Sequence, residues 1–448
     1  MKGSIIMKKT YIASAFLMAA MVVSMTGCGN NSSVSENTSA GTSAKSAVSD
    51  SDETLEKAAK ADKTVSENSA SVEVKQLSTT TQESTFTERD LEQTADTSEA
   101  ESIAVADNKT IDITDAGVYT ISGSAENCTI RINADDSAKV QLVLDGVSIT
   151  NDDFPAIYVL SADKVFITTT DSENTLTVSG EFRVDGENNT DAVIYSKDDL
   201  VLNGTGTLNV ISYYGNGITG KDDMKITGGT YNVKSALDGF EANDSISVCD
   251  GTFNVTTKKD GFHCENDEGE GSIAISGGTF TINGASDGIQ ACAFLQIDGG
   301  EFDITAAEGL EATNIVINDG NITINASDDG INGSYKSTSV GTPDIEINGG
   351  NLTITMSGSD VDAIDVNGNI TVSGGTIDIS YPQRGPSGSF DYDGTATYNG
   401  GTIIINGQEV SEIPQSMMGG GMRGGMDGGM NGGMGGGFGG GRGGRHSL

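Results

Sequence analysis

The sequence predicts an all-β chain wound into a right-handed parallel β-helix solenoid of about 22-residue turns. A disordered N-terminal tether precedes it and a C-terminal Gly/Met-rich tail follows it. Three observations carry this expectation. A phrase recurs, as TGGTYNVKSALDGF from Thr227, DGTFNVTTKKDGF from Asp250, SGGTFTINGASDGI from Ser276 and NDGNITINASDDGI from Asn318. The glycines that open successive phrases (Gly206, Gly229, Gly251, Gly278, Gly300, Gly320, Gly350, Gly375 and Gly401) are separated by 23, 22, 27, 22, 20, 30, 25 and 26 residues. No helical periodicity interrupts the run.

Within each unit the apolar residues alternate. Tyr231/Val233, Phe253/Val255, Phe280/Ile282, Phe302/Ile304, Ile322/Ile324, Leu352/Ile354 and Ile377/Ile379 share one side, and Thr230, Asn232, Thr252, Asn254, Thr279 and Thr281 the other. Period two in short β-rich runs is the strand signature. Further short runs, Leu200-Val-Leu, Met224-Lys-Ile, Ile246-Ser-Val, Ile273-Ala-Ile and Ile315-Val-Ile, give about three strands per unit. Stacking equivalent strands in parallel explains why like residues recur at like positions about 4.8 Å apart, and why insertions at corners leave the pattern intact. Ten to twelve turns are expected, right-handed by the general crossover preference. Asp107 to Ile132 alternates without the glycine pair and is expected to cap the open end.

The flanks have different chemistry. Lys2, Lys8 and Lys9 precede an apolar stretch from Tyr11 to Met25 that ends in Met25-Thr-Gly-Cys28, too short for a membrane span. Residues 29–101 are Ser, Thr, Ala, Glu, Asp and Lys with a single aromatic residue, Phe86, and cannot offset chain entropy by burial. Such a coil spans about 45 Å on average. The folded domain is expected at 102–416, with a low-complexity tail at 417–448. Cys128, Cys249, Cys264 and Cys292 fit no zinc or redox spacing and stay unassigned, with Cys264 inward and Cys292 outward by alternation.

The chain has 64 acidic and 25 basic side chains and a formal charge of −39, which excludes nucleic acid and anionic membrane surfaces as direct partners. Its acids are placed with regularity. Asp238, Asp260, Asp287, Glu308 and Asp329 each precede glycine, at steps of 22, 27, 21 and 21. Asp-Gly is ordinary turn chemistry, in which glycine takes positive φ. Carboxylates one strand spacing apart nevertheless repel by about 1 kcal/mol in water and about 3 kcal/mol at an effective dielectric near 20. Acids at five consecutive levels therefore point to hard cations at the corner, calcium by preference, with Asp222, Asp223 and Asp267 as further candidate ligands.

Asp191-Ala-Val-Ile-Tyr-Ser-Lys-Asp-Asp-Leu200, Gly204-Thr-Gly-Thr-Leu208, Gly217-Ile-Thr-Gly-Lys-Asp-Asp223, Cys264-Glu-Asn-Asp267 and the Gly-Gly-Thr and Asp-Gly phrases closely resemble bacterial carbohydrate-binding-domain lipoproteins. The resemblance covers roughly residues 100–410. It implies a β-helix similar in shape to pectate lyases, calcium binding, and recognition of plant polysaccharide, particularly polygalacturonate (pectin) or cellulose-like chains. The leader likewise resembles a lipoprotein signal peptide, which makes Cys28 the lipidated residue of a membrane-anchored, surface-exposed protein. Outward Asn232 and Asn254, with Lys258 and Lys259, are the expected saccharide-binding side chains. A lyase would need an arginine or lysine base beside calcium. Arg131, Arg183 and Arg384 lie away from the central acids, and His263 reads as an exposed polar residue. A non-catalytic binding module is the leading expectation, with a pectate-lyase-like enzyme or a calcium-stiffened adhesin as alternatives.

Overall fold

The computed structural model describes residues 86–359, 361–383 and 387–414, and every regular element among them is a β-strand. Each coil carries three short strands. One coil holds Asn216–Gly220, Asp223–Ile226 and Thr230–Lys234, and the next holds Phe240–Ala242, Ser245–Val248 and Thr252–Thr256. Strands pair in parallel with their equivalents one coil on, the last strand excepted, so that Tyr231, Phe253, Phe280, Phe302, Ile322 and Leu352 lie in one line. First strands of successive coils form a twelve-stranded parallel sheet from Lys109–Ile113 to Gly388–Tyr392, here called sheet one. Second and third strands form two further parallel ladders, sheets two and three. The long early strands Gly117–Glu126 and Lys139–Asn151 bend through both and join them.

Stacking follows from the repeat. Phe253, Phe280 and Phe302 lie with ring centroids 4.5 Å apart and planes within 8° of parallel. A second column, Phe240 over Phe262 at 4.5 Å, meets the first edge to face at 5.6–5.8 Å. Both contacts suit the aromatic quadrupole and add to the burial of rings that are essentially inaccessible.

The two glycine sets have different causes. Phrase-opening glycines from Gly229 onward take positive φ, 135° at Gly251, as a turn requires. The glycines after the corner acids do not. At Gly261 a Cβ would lie 2.5 Å from the Gly288 carbonyl oxygen and 2.5 Å from Ile282 Cγ2, so the coil above leaves no room. The expected turn role of the Asp-Gly glycine is thus replaced by close approach between coils.

Both ends differ from expectation. Residues 107–132 are not a separate cap: Lys109–Ile113 already pairs with Cys128–Asn133 inside sheet one. At the other end Gln408–Val410 turns back antiparallel on Thr402–Ile405 and covers that edge.

The stretch 86–100, expected to belong to the tether, is a strap on the outer face of sheet two. Phe166 and Val201 break the polar-outward pattern there, at 1% and 0% exposure. The Arg89 guanidinium lies 4.5 Å from the Phe166 ring centroid. Asp90 is wholly buried, 3.6 Å from Lys164 Nζ and 3.7 Å from Lys225 Nζ, and accepts from the Thr87 N–H. Gln93 accepts from the Gly204 N–H and donates to the Thr227 carbonyl, both at 2.9 Å. Burial would raise the Asp90 pKa, but the Thr87 bond and the two ammonium groups hold it below the usual range. Asp90→Asn, which leaves two ammonium groups facing a neutral amide, is expected to cost about 2–3 kcal/mol of strap docking. Limited proteolysis checks this, with new cleavage confined to 86–100.

Among the described residues Cys128, Cys249, Cys264 and Cys292 form no disulfide with one another. Cys264 points into the core, while Cys292 is covered by a later insertion, its Sγ 3.4 Å from the Lys336 carbonyl oxygen. The leader, Cys28, most of the tether, Arg384 and the tail lie outside the described residues.

Candidate functional site

The corner before sheet one places the repeated acids in a line. The Asp238 N–H donates to Asn216 Oδ1, the Asp260 N–H to Asp238 Oδ1, the Asp287 N–H to Asp260 Oδ1 and the Asp362 N–H to Asp329 Oδ1, all at 2.9–3.0 Å. One carboxylate oxygen thus does the structural work that an asparagine does at Asn216. The second oxygen is left for something else.

Three residues after each corner acid, the sheet turns an outward side chain over the same strip: Glu241, His263, Gln290, Glu311, Asn332 and Asp365. Two groups result in which one ligand atom per residue lies within 4.8 Å of the others, Asp238–Asp260–His263 and Asp287–Glu308–Glu311. A third, Asp199–Asp222–Asp223, occupies the entry to sheet two.

These groups differ in how their charge is met. Lys259 Nζ sits 2.9 Å from Asp238 Oδ2, 3.8 Å from Asp260 Oδ2 and 3.3 Å from His263 Nδ1. The first group therefore already contains a cation. Burial opposes ionisation of Asp238, but bonds from His263 and Lys259 hold it below the usual carboxylate range. Burial likewise disfavours the Lys259 ammonium, yet Asp238 keeps it raised above an ordinary lysine. In the second group Lys336 Nζ contacts Glu311 Oε2 at 2.7 Å, joined there by Gln290 Nε2 at 2.7 Å. Burial, then the charges of Asp260, Glu311 and Glu308, push Asp287 up to about 8. Burial and Glu311 push Glu308 up to about 7. In the third group burial, then Asp199 and Asp223, raise Asp222 to about 6, while Lys164 lies 3.4 Å from Asp199.

Asp287 and Glu308 are thus short of positive charge, as is Asp365 further along the strip, pushed up to about 7 by burial and then by Asp329, Asp391, Asp362 and Asp393. With divalent cations chelated, they retain protons in the folded chain over a range where the unfolded chain has lost them. Folding then takes up protons, so stability falls as pH rises from about 5 to about 8.5. The thermal midpoint in chelator is expected to drop by a few degrees across that window, and Asp287→Asn to flatten the slope.

The structure sorts the expected residues. Asp238, Asp260, Asp287, Glu308 and Asp329 share the corner line. Asp222 and Asp223 meet on another, with Asp199. Asp267 is exposed on the insertion after Cys264 and joins no group. Asn232 and Asn254 lie on sheet three, where each side chain satisfies the next. Asn254 Nδ2 donates to Asn232 Oδ1 and Asn232 Nδ2 to Asn209 Oδ1, at 2.9 and 2.8 Å. This amide ladder engages Asn232 in both directions and leaves it a second side-chain N–H. Lys258 is exposed, whereas Lys259 turns into the acids. His263 is not an exposed polar residue, since its side chain is only 12% exposed and lies between Asp238, Asp260 and Glu265. Glu241, Glu311 and Lys336 join the strip without being flagged by the corner phrase. The first two are readable as a second column offset by three residues from the first.

The chain is thus an all-β parallel solenoid that carries a carboxylate-rich strip along one sheet. A family model described as "Carbohydrate-binding domain-containing protein" matches residues 107–361, and the chain belongs to that family. A carbohydrate-binding domain-containing protein of Acetivibrio thermocellus is 38% identical over 128 residues, 28% of this chain and 45% of that protein. The alignment therefore spans less than half of that relative. The solved "polysaccharide lyase-like protein from C. thermocellum, Gadolinium derivative" is 24% identical, with 68% of this chain and 96% of that chain covered. Its TM-score is 0.32, too loose a superposition to carry function across.

Proposed function

We propose that the chain is a non-catalytic module that binds an acidic plant polysaccharide, polygalacturonate foremost, through calcium on the sheet-one strip. The observation that carries this is the unequal charge balance of the strip. Lys259 fills the Asp238–Asp260–His263 group, whereas Asp287 and Glu308 have neighbouring carboxylates and only the lysine engaged by Glu311. An all-oxygen donor set of carboxylates suits a hard cation, and Asp287, Glu308 and Glu311 would hold it. Asp199, Asp222 and Asp223 form a second candidate set. Bound calcium supplies the positive charge that lets carboxylates of the protein and of a uronate polymer share one surface. The coil is taken as right-handed on the general crossover preference. Cys28 is the proposed lipid anchor, and loss of radiolabelled palmitate from a Cys28→Ser chain checks it.

A lyase reading is less well supported. Lys259 and Lys336 are both held as ammonium by carboxylates, the wrong state for removing a proton. Arg131 and Arg183 are committed to Asp112 and Asp153. The test is retention on insoluble polygalacturonate with calcium and then with chelator, with unsaturated product read in the same tubes. Calcium-dependent retention without product is expected. Product would make the protein a lyase, and equal absence of retention in both conditions would overturn the binding reading.

A further inference from the structure

Tyr213 and Tyr214 are 57% and 53% exposed, adjacent in sequence, and used by neither the core nor the acid groups. They stand at the tip of a braced turn. The Gly215 N–H donates to Ser212 Oγ at 3.0 Å and the Tyr213 N–H to the Val178 carbonyl at 3.2 Å. Gly215 packs so tightly on Phe182 that a Cβ would come 2.7 Å from its ring. The Leu237 N–H donates to the Gly215 carbonyl, which puts half-exposed Leu237 one coil above the pair.

This apolar edge opens directly onto the acid strip. Asn216, two residues after Tyr214, accepts from the Asp238 N–H, and its side chain bonds Glu241. Exposed aromatic rings on a rigid turn cost free energy in water, and little order is lost when they meet a flat apolar surface. The C–H face of a pyranose is such a surface, and membership of a carbohydrate-binding family makes a sugar chain the fitting occupant.

We propose that Tyr213 and Tyr214 form a stacking platform for sugar rings, gripping a polysaccharide where it crosses the corner toward sheet one. This rests on the polysaccharide-binding reading but not on calcium. The rings supply a contact that any pyranose chain can use, whereas the strip selects charged ones.

The test is retention of the full chain on insoluble polygalacturonate and its mobility in gels containing hydroxyethylcellulose. Wild type, a Tyr213→Ala/Tyr214→Ala double variant and the corresponding Phe/Phe double variant are compared. Retention is expected to fall at least tenfold in the Ala/Ala chain and to survive in the Phe/Phe chain, with the calcium-induced thermal shift unchanged in both. Equal retention of Ala/Ala and wild type overturns the platform and leaves the binding function standing. Loss in Phe/Phe as well overturns stacking in favour of hydroxyl contacts. A wild type that binds neither polymer overturns both readings.

Discussion

Phe280→Ala will unfold at a markedly lower urea concentration than the parent chain, having lost about 4 kcal/mol. Phe280 lies inside a column of stacked rings, 4.5 Å from Phe253 below and Phe302 above, and meets Phe262 edge to face at 5.7 Å. Truncation removes three ring contacts at once and leaves a void lined by rings whose backbones are fixed by parallel pairing on both sides. The void cannot collapse, which places the cost at the upper end for such truncations. In a solenoid each coil leans only on its neighbours, so the damage stays local while the cooperative unit weakens. Thr281→Ala is the control. It alters the next residue on the exposed side of the same strand and is expected to change stability by no more than about 0.5 kcal/mol.

Gly261→Ala is expected to be nearly as damaging, at about 3 kcal/mol, although it adds a single methyl group. That methyl would sit 2.5 Å from a backbone carbonyl oxygen of the coil above, which cannot rotate away as a side chain could. Relief requires the two coils to part, and parting breaks the hydrogen bond from the Gly261 N–H to the Asp287 carbonyl, 2.9 Å long. Gly146→Ala separates this from ordinary glycine strain. Gly146 has φ of 72° and nothing within 4 Å of where an added methyl would sit, so its cost is expected near about 1 kcal/mol. Denaturation midpoints of the two variants should differ clearly, and similar midpoints would remove close approach as the reason for the recurring corner glycine.

Much of the fold was legible because a solenoid writes its geometry into spacing. The phrase period became the coil, the alternating residues became the core, and the corner acids fell into one line as their steps required. What stayed hidden depends on contacts between coils or outside the repeat. Lys259, the residue before Asp260, neutralises Asp238, 21 residues earlier on the preceding coil. That offset was in the sequence, but only the register reveals it. Lys336 comes from an insertion held by Ser337 and Ser339 against the Gly269 carbonyl, and no periodicity could place it. The strap is hidden for a compositional reason. A polar stretch with one aromatic residue resembles tether, and its docking depends on outward-facing Phe166 and Val201 far along the chain.

The strap has a mechanical consequence. A pull on the chain ahead of Phe86 does not reach the first strand, Glu101–Ala104, until Asp90 and Gln93 have been torn from Lys164, Lys225, Gly204 and Thr227. Those contacts lie several coils into the rod, so tension enters its flank and leaves the terminal strand unloaded. When they yield, about fifteen residues are released, a contour of roughly 50 Å at full extension. The strap thus works as a fuse that lengthens under load and spares the coils behind it.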